Sequence, residues 1–438
     1  MSSEVPEHSL KSLCLLVVDC PHATPKWTDS GVVVLRNQNI KAGRLDLSSP
    51  SYTDEEHYLG RIRRADPRAG DIVITREAPM GDVCQIPPGL RCCLGQRQVL
   101  LRPDPTKVEP RFLLFALQSP YLQHQIGWNE GTGSTVSNLR IPVLEALRVP
   151  TPPLAVQIEI ALLLGALDDR LALLRETNAT LEAIAQALFK SWFVDFDPVR
   201  AKSQGLAPAG MDEATAALFP DSFEESALGL VPTGWTVQPV GDAVECVGGA
   251  TPDTKDPSYW SPEEHAWTTP KDLSGLPAPV LLSTERRIST KGLARIGSGL
   301  LPVGTLLMSS RAPIGYLAIA QVPVAINQGY IGMLPGSLLP PLYMLFWCQQ
   351  NMEAIKARAN GSTFMEISKK AFRPIPALVP STPVTEAFLA VASPLFSHMV
   401  SNERQAQTLA TLRDTLLPRL ISGQLRLPDA LAEMEEAA

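Results

Sequence analysis

Cysteine is sparse and unpatterned in this chain. The seven residues, at 14, 20, 84, 92, 93, 246 and 348, are an odd number without CxxC spacing. A disulfide framework or zinc ribbon is thereby excluded, and a reducing cytoplasm is the expected setting. The six histidines are scattered and read as surface or core residues. No apolar run approaches the ~18–20 residues that span a bilayer; candidates such as Ile158 to Leu164 are short and interrupted by charge. The first residues lack the basic stretch and apolar core of a signal peptide, so no membrane partner is expected. Phosphate-loop, HExxH and GxSxG patterns are also missing. Asp256-Pro257-Ser258-Tyr259 lacks the second proline of an adenine-holding methyltransferase tetrapeptide and reads as a turn. Pro220-Asp221 with Asp253-Thr254-Lys255 imitates a nuclease pattern, but Pro220-Asp221 lies in a connector. Nothing converges on a reaction, so a catalytic site is not expected.

What is present is material for several cores. Of 438 residues, 45% are hydrophobic and 19% charged, which excludes disorder throughout and suggests two to four domains. The net charge of −7 speaks against a simple basic nucleic-acid binder. Sorting by segment changes that. Residues 1–155 hold 17 basic and 16 acidic side chains and residues 230–380 hold 12 and 10, whereas 156–229 hold 5 and 12 and 381–438 hold 4 and 7. The acid is concentrated outside the two large segments. These carry basic groups around Arg61, Arg63, Arg64 and Arg68; Arg91, Arg97 and Arg102; Arg286, Arg287, Lys291 and Arg295; and Lys369, Lys370 and Arg373. Each is a candidate phosphate-contacting face or simply a solvated one.

The chain repeats itself. His22-Ala23-Thr24-Pro25 answers Gly249-Ala250-Thr251-Pro252, Gly70 to Ile74 answers Gly304 to Met308, and Arg76 to Gly81 answers Arg311 to Gly315. Gly95-Gln96 answers Asn327-Gln328, Gly133-Ser134-Thr135 answers Gly361-Ser362-Thr363, and Thr180-Leu181 answers Thr408-Leu409. Six matches in one order define a two-fold repeat. Each copy begins with β-branched runs such as Val32 to Leu35, Ile72 to Ile74 and Val99 to Leu101, punctuated by Gly, Pro and Asn. Local helices are expected at Pro110 to Ser119 and Leu342 to Ala357.

Each copy ends in a long helix. Ile160, Leu164, Leu167, Leu171, Leu174, Asn178, Leu181, Ala185, Leu188 and Trp192 alternate steps of four and three, a coiled-coil seam. The second seam is read as Val391, Leu395, His398, Asn402, Gln405, Leu409, Leu412 and Leu416, its polar members and Asn178 fixing register. The expected fold is α+β: two pseudo-repeated α/β domains joined by two long antiparallel helices. Domain 1 covers 1–152, a helix 153–197, a connector 198–231, domain 2 232–380, a second helix 381–424 and an acidic tail 425–438.

The run Leu181 to Val199, with Phe189-Lys190-Ser191-Trp192-Phe193-Val194-Asp195-Phe196-Asp197-Pro198, resembles the central region of specificity subunits of type I restriction–modification systems. Leu218 to Phe223, Leu228 to Trp235 and Leu416 to Leu425 extend the resemblance over nearly the whole chain; the first module lacks a copy of the Val-Pro-Thr-Gly-Trp opening. The resemblance implies a non-catalytic DNA-binding chain. Two target-recognition domains would each read half of a bipartite, asymmetric duplex site, with the helices as a ruler. It also implies two modification subunits and, in some assemblies, two restriction (motor/nuclease) subunits. S-adenosylmethionine, ATP and Mg are then expected on those partners, since methylation needs a base flipped into a partner's pocket. A coiled-coil adaptor, or the recognition part of another methyltransferase-based defence system, is the competing reading.

Polar loop residues at repeat-related positions are the candidates for DNA contact: Arg36, Asn37, Gln38 and Lys271; Arg76 and Arg311 beside Ser309 and Ser310; Gln96 and Gln328; Ser134, Thr135, Ser362 and Thr363. Arg matches guanine, and Asn or Gln adenine, in the major groove. Residues shared by both repeats cannot read two different half-sites, so base-reading positions are expected where the repeats differ. Trp192, Phe193 and Phe196 are candidates for partner docking.

Overall fold

The computed structural model describes residues 5–41, 43–128, 138–311, 313–361 and 365–437, with side chains to 433. Two compact units divide the chain, 1–171 with 408–438, and 172–407. The boundary therefore falls inside both long helices rather than at the expected domain ends.

The first unit carries β1 (Glu7–Ser9), β2 (Cys14–Asp19), β3 (Val32–Leu35), β4 (Ser51–Thr53), β5 (Ile72–Thr75), β6 (Val83–Gln85), β7 (Cys92–Leu94), β8 (Gln98–Pro103) and β9 (Arg148–Pro150). An antiparallel sheet runs β2-β8-β5-β6, and a second runs β4-β3-β7, with β3 antiparallel to β4 and parallel to β7. Helix α1 (Pro110–Gln118) packs on the first sheet. Strand β5 is buried on both faces: Ile72 and Ile74 meet Phe112 and Phe115, whereas Val73 meets Leu35 and Cys92 on the other side. This is why its sequence is a continuous apolar run instead of an alternation. Each such side chain contributes about 1.5–3 kcal/mol of transfer free energy.

The second unit carries β10 (Thr236–Pro239), β11 (Cys246–Val247), β12 (His265–Thr268), β13 (Val280–Leu281), β14 (Arg286–Ile288), β15 (Leu306–Ser309), β16 (Leu317–Ala320), β17 (Val324–Ile326), β18 (Tyr330–Met333) and β19 (Pro376–Val379). Its order β11-β18-β15-β16 repeats β2-β8-β5-β6, with β13 added in parallel at the edge. The order β14-β12-β17 repeats β4-β3-β7, down to one antiparallel and one parallel pairing. The β10–β19 pair likewise repeats β1–β9, so Glu7–Ser9 fills the place of the missing opening motif. The repeat is thus a repeat of topology in its shared strands, the second unit adding β13 and the first a short pair, Ile40–Lys41 with Arg44–Leu45.

Helix α2 (Leu154–Phe193) is longer than its 33-residue seam. Ile160, Leu164, Leu167, Leu171, Leu174, Asn178, Ala185 and Trp192 are buried, as their spacing requires. Phe196, in left-handed backbone at φ 58°, ends the run, and Pro198 opens the short helix Asp197–Ser203. The connector continues with a hairpin, Phe223–Ser226 on Gly229–Pro232.

Helix α4 follows α3 (Pro341–Gln350) and spans Thr382–Ile421. The seam read for it is partly wrong. Val391, His398 and Gln405 are exposed, and the inward positions are Phe388, Ala392, Leu395, Met399, Asn402, Ala406, Leu409, Arg413, Leu416 and Leu420. By length and composition α4 is apolar enough to cross a membrane, contrary to expectation. Its Val384, Phe388, Ala392 and Met399 are buried within the second unit. The tail is a further helix, α5 (Leu427–Ala437), tied by Arg419 to Glu433 at 2.7 Å.

Inside the second unit the two helices run antiparallel, with Asn178 opposite Asn402 and Phe189 opposite Phe388. The buried Asn402 Nδ2 donates to Asn178 Oδ1 at 2.8 Å, and Asn178 Nδ2 donates to Glu403 at 2.7 Å. Such a pair penalises any slip that would bury one amide alone. Asn178→Leu should therefore lower the unfolding free energy by about 1–3 kcal/mol, because the Asn402 amide loses its acceptor. Asn178→Leu with Asn402→Leu should recover the part due to the Asn402 amide, Glu403 lacking its donor in both variants; a double variant as unstable as the single, by denaturant midpoint, would contradict the pairing. In the first unit Arg413 meets Asp168 at 2.8 Å.

All seven thiols are free, Cys20, Cys84, Cys92, Cys93 and Cys348 buried and Cys14 and Cys246 half-buried. Burial pushes Cys84 and Cys92 up to about 12, and Cys93 and Cys246 up to about 11.

Candidate nucleic-acid interface

In the first unit the loop after β3 and the turn between β7 and β8 face each other. Trp27, Arg36, Asn37, Gln38, Gln96 and Arg97 line an open cavity of about 370 Å³. The Arg36 guanidinium lies 5.3 Å from the ring centre of Trp27, which is 47% exposed, a large value for tryptophan. Asn37 Nδ2 donates to the Glu77 carbonyl at 2.6 Å, and Gln96 Nε2 donates to the His22 carbonyl at 2.6 Å. Four sequence candidates, Arg36, Asn37, Gln38 and Gln96, are thereby brought into one groove. Arg61, read as part of a basic surface, is buried and donates to the carbonyls of Leu94, Gly95 and Ala23. It braces the groove walls and is no phosphate ligand.

Arg76 and the two serines have structural work instead. Arg76 donates to both Asp19 oxygens at 2.8 Å, to the Leu139 carbonyl and to Asn138, leaving its side chain 12% exposed. Ser309 is buried and its hydroxyl bridges the Pro313 carbonyl and the Tyr316 N–H; Ser310 is buried as well. A backbone junction explains the arrangement. Arg76 N–H donates to the Arg97 carbonyl and Leu139 N–H to the Arg76 carbonyl; Ser310 N–H donates to the Gly329 carbonyl and Ile367 N–H to the Ser310 carbonyl. These are the same two bonds. Arg76 therefore corresponds to Ser310, not Arg311, and Arg97 corresponds to Gly329.

Among the remaining candidates, Lys271 pairs with Glu285 at 2.8 Å, which holds its ammonium above the ordinary value. Arg311 stands 3.7 Å from Glu366, and Gln328 accepts from Thr251. Ser134, Thr135, Ser362 and Thr363 lie outside the described residues. Trp192 and Phe193 are core residues of the second unit, packed with Phe219, Trp235, Tyr343 and Phe388. Phe196 is half-buried against Phe223 and Trp235. The aromatic run is thus interior rather than a docking surface.

Two arginines read only as members of basic clusters have specific placements that the sequence did not show. Arg97, 57% exposed, sits in left-handed backbone (φ 64°) with its guanidinium 3.2 Å from Glu77. In the second unit Arg286 stacks 3.6 Å from the ring centre of Trp260 and 5.4 Å from that of Trp267. Trp27 and Trp260 each stand five residues before the matching strands β3 and β12, a spacing that could have flagged them. Among the described residues no group of His, Cys, Asp and Glu is placed to hold a metal.

Each of the two repeated modules presents exposed polar loops and an Arg-stacked tryptophan, the features of a binding scaffold. The type I restriction modification DNA specificity domain matches residues 22–183 and again residues 232–390, and the chain belongs to that family. It is similar to the type I restriction enzyme MjaIX specificity subunit of Methanocaldococcus jannaschii, 34% identical over 185 residues, or 42% of each chain. That alignment spans less than half of the relative. It is also similar to the type I restriction enzyme HindI specificity subunit of Haemophilus influenzae, 25% identical over 369 residues, 75% of this chain and 80% of that one. The crystal structure of the S subunit from M. genitalium shares the fold, with a TM-score of 0.53 at 17% identity over 95% of both chains.

Proposed function

We propose that this chain is the DNA specificity subunit of a type I restriction–modification complex, each module reading one half of a bipartite duplex site. The observation that carries this is the duplicated order of the shared strands with different side chains on equivalent loops. Equal scaffolds give equal docking on DNA, and unequal loops give two half-sites. The antiparallel helices form a coiled coil that sets the gap: α2, at 40 residues and 1.5 Å per residue, is about 60 Å long, more than one ~34–36 Å DNA turn. Modification subunits dock on the outward helix faces, where Leu162, Leu173 and Ile184 are exposed. The methyl donor, ATP and Mg belong to those partners and to any restriction subunits, and the complex works in the cytoplasm.

Exchanging residues 22–150 for those of a relative with another target should change one half-site and leave the other and the gap intact. Methylation-aware sequencing of DNA from cells carrying each version reads both halves. A change in both halves, or methylation without a bipartite motif, overturns the reading.

A further inference from the structure

The junction that aligns the modules also shows where they differ. At the same backbone node the first module carries Arg76, Glu77 and Arg97, and the second carries Ser310, Arg311 and Gly329. Each module has an Arg-stacked tryptophan before its matching strand, Trp27 with Arg36 and Trp260 with Arg286, the two arginines coming from different elements. A feature present in both copies suits what both halves of any duplex share, the sugar–phosphate backbone. A feature present in one suits what differs, the base edges.

Arg97 meets the second description. Its guanidinium lines the groove, is 57% exposed, and is oriented by one carboxylate, Glu77, whose other oxygen accepts from Asn138 at 2.5 Å. The side chain is therefore aimed but not consumed. Its backbone lies at φ 64°, a region strained for any residue with a Cβ and open to glycine. The second module has Gly329 at this position, outside the left-handed region and too close to Pro270 and Asn327 to admit a long side chain. An arginine held in left-handed backbone, in one copy only, is retained for its side chain.

We propose that Arg97 is a specificity-determining residue of the first module, a bidentate donor to a guanine edge in one half-site. The inference rests on the DNA-reading function proposed above. A planar fork with free N–H groups matches guanine O6 and N7 in the major groove.

The test uses the full chain assembled with its modification subunits. The target is first read from the methylated sites of cells carrying the wild-type system. Duplexes with that target altered one base pair at a time then compete for wild-type and Arg97→Gly complexes. Arg97→Gly should lose between roughly fivefold and one-hundred-fold of discrimination at one or two adjacent positions of one half-site, with the other half unchanged. Its melting temperature should be equal or higher, since glycine relieves the left-handed backbone. Discrimination retained at every position overturns the proposal. So does uniform weakening with a salt slope lowered by about one, the mark of a phosphate contact. A wild-type complex with no sequence discrimination at all would instead sink the functional reading itself, before any variant is compared.

Discussion

Phe388→Ala should destabilise the second unit by about 3–5 kcal/mol, the cost of emptying a fully buried aromatic site. Phe388 is 0% exposed and lies at the centre of an aromatic cluster: Phe189, Trp192, Phe193, Tyr343 and Phe346 surround it at ring-centre distances of 5.2 to 6.4 Å. Most of these pairs meet edge to face, which adds about 0.5–1.5 kcal/mol per pair beyond area burial. The site cannot collapse easily, because the surrounding rings belong to α2 and α3, each held by its own packing. Urea unfolding followed by tryptophan fluorescence gives the number directly. Phe388→Leu keeps most of the volume and should cost about 1 kcal/mol. A loss below about 1 kcal/mol for alanine would mean that the cluster is not the centre of this core.

Arg76→Ala should cost about 2–4 kcal/mol and act on stability rather than on sequence choice. Removing the guanidinium strips Asp19 of its two short bonds and the Leu139 carbonyl of its side-chain donor. Breaking a wholly buried ion pair costs about 3–5 kcal/mol, most of it the stranded charge. Here Asp19 is 19% exposed, so water recovers part. Arg76→Lys should restore little, because an ammonium cannot reproduce the planar fork. The informative comparison is with Arg97, on the other side of the same backbone bond. Arg76→Ala should lower the denaturation midpoint and leave base preference intact, and Arg97→Gly should do the reverse. Unchanged stability with weakened DNA binding in Arg76→Ala would return Arg76 to the interface.

Much of this fold was legible because its periodicities are long and redundant. The first seam is buried along α2 as its 3–4 spacing demanded, and the run Ile72 to Ile74 is a strand buried on both faces. The second seam slipped by one at several positions. Val391 outranks Ala392 in apolarity, yet a close helix contact prefers the smaller residue, and Ala392 is the buried one. The repeat was visible, but its register at Arg76 was not. Arg-Ala-Pro looks like a continuation of Arg-Glu-Ala-Pro, and only the two conserved backbone bonds show that Ser310 occupies the equivalent place. The groove was half legible. Arg36, Asn37, Gln38 and Gln96 stood out as polar loop residues, whereas Arg97 was one arginine among many, and neither its left-handed backbone nor its missing counterpart can be read from one strand of sequence. Trp192 and Phe193 misled because an aromatic run next to acidic residues looks like a surface and is instead a core at its polar edge.

The weakly acidic thiols, buried or half-buried, have a practical consequence. A thiol reacts as its thiolate, and with Cys84, Cys92, Cys93 and Cys246 pushed to about 11 or 12 little thiolate forms near neutral pH. Folded protein should therefore be nearly silent to maleimides. A cysteine introduced at exposed Gln38 or Leu173 would be the one site to take up a dye, without first deleting the native seven. Site-specific fluorescent labelling is thus built into the wild-type background, and with it a direct optical readout of DNA arriving at the groove.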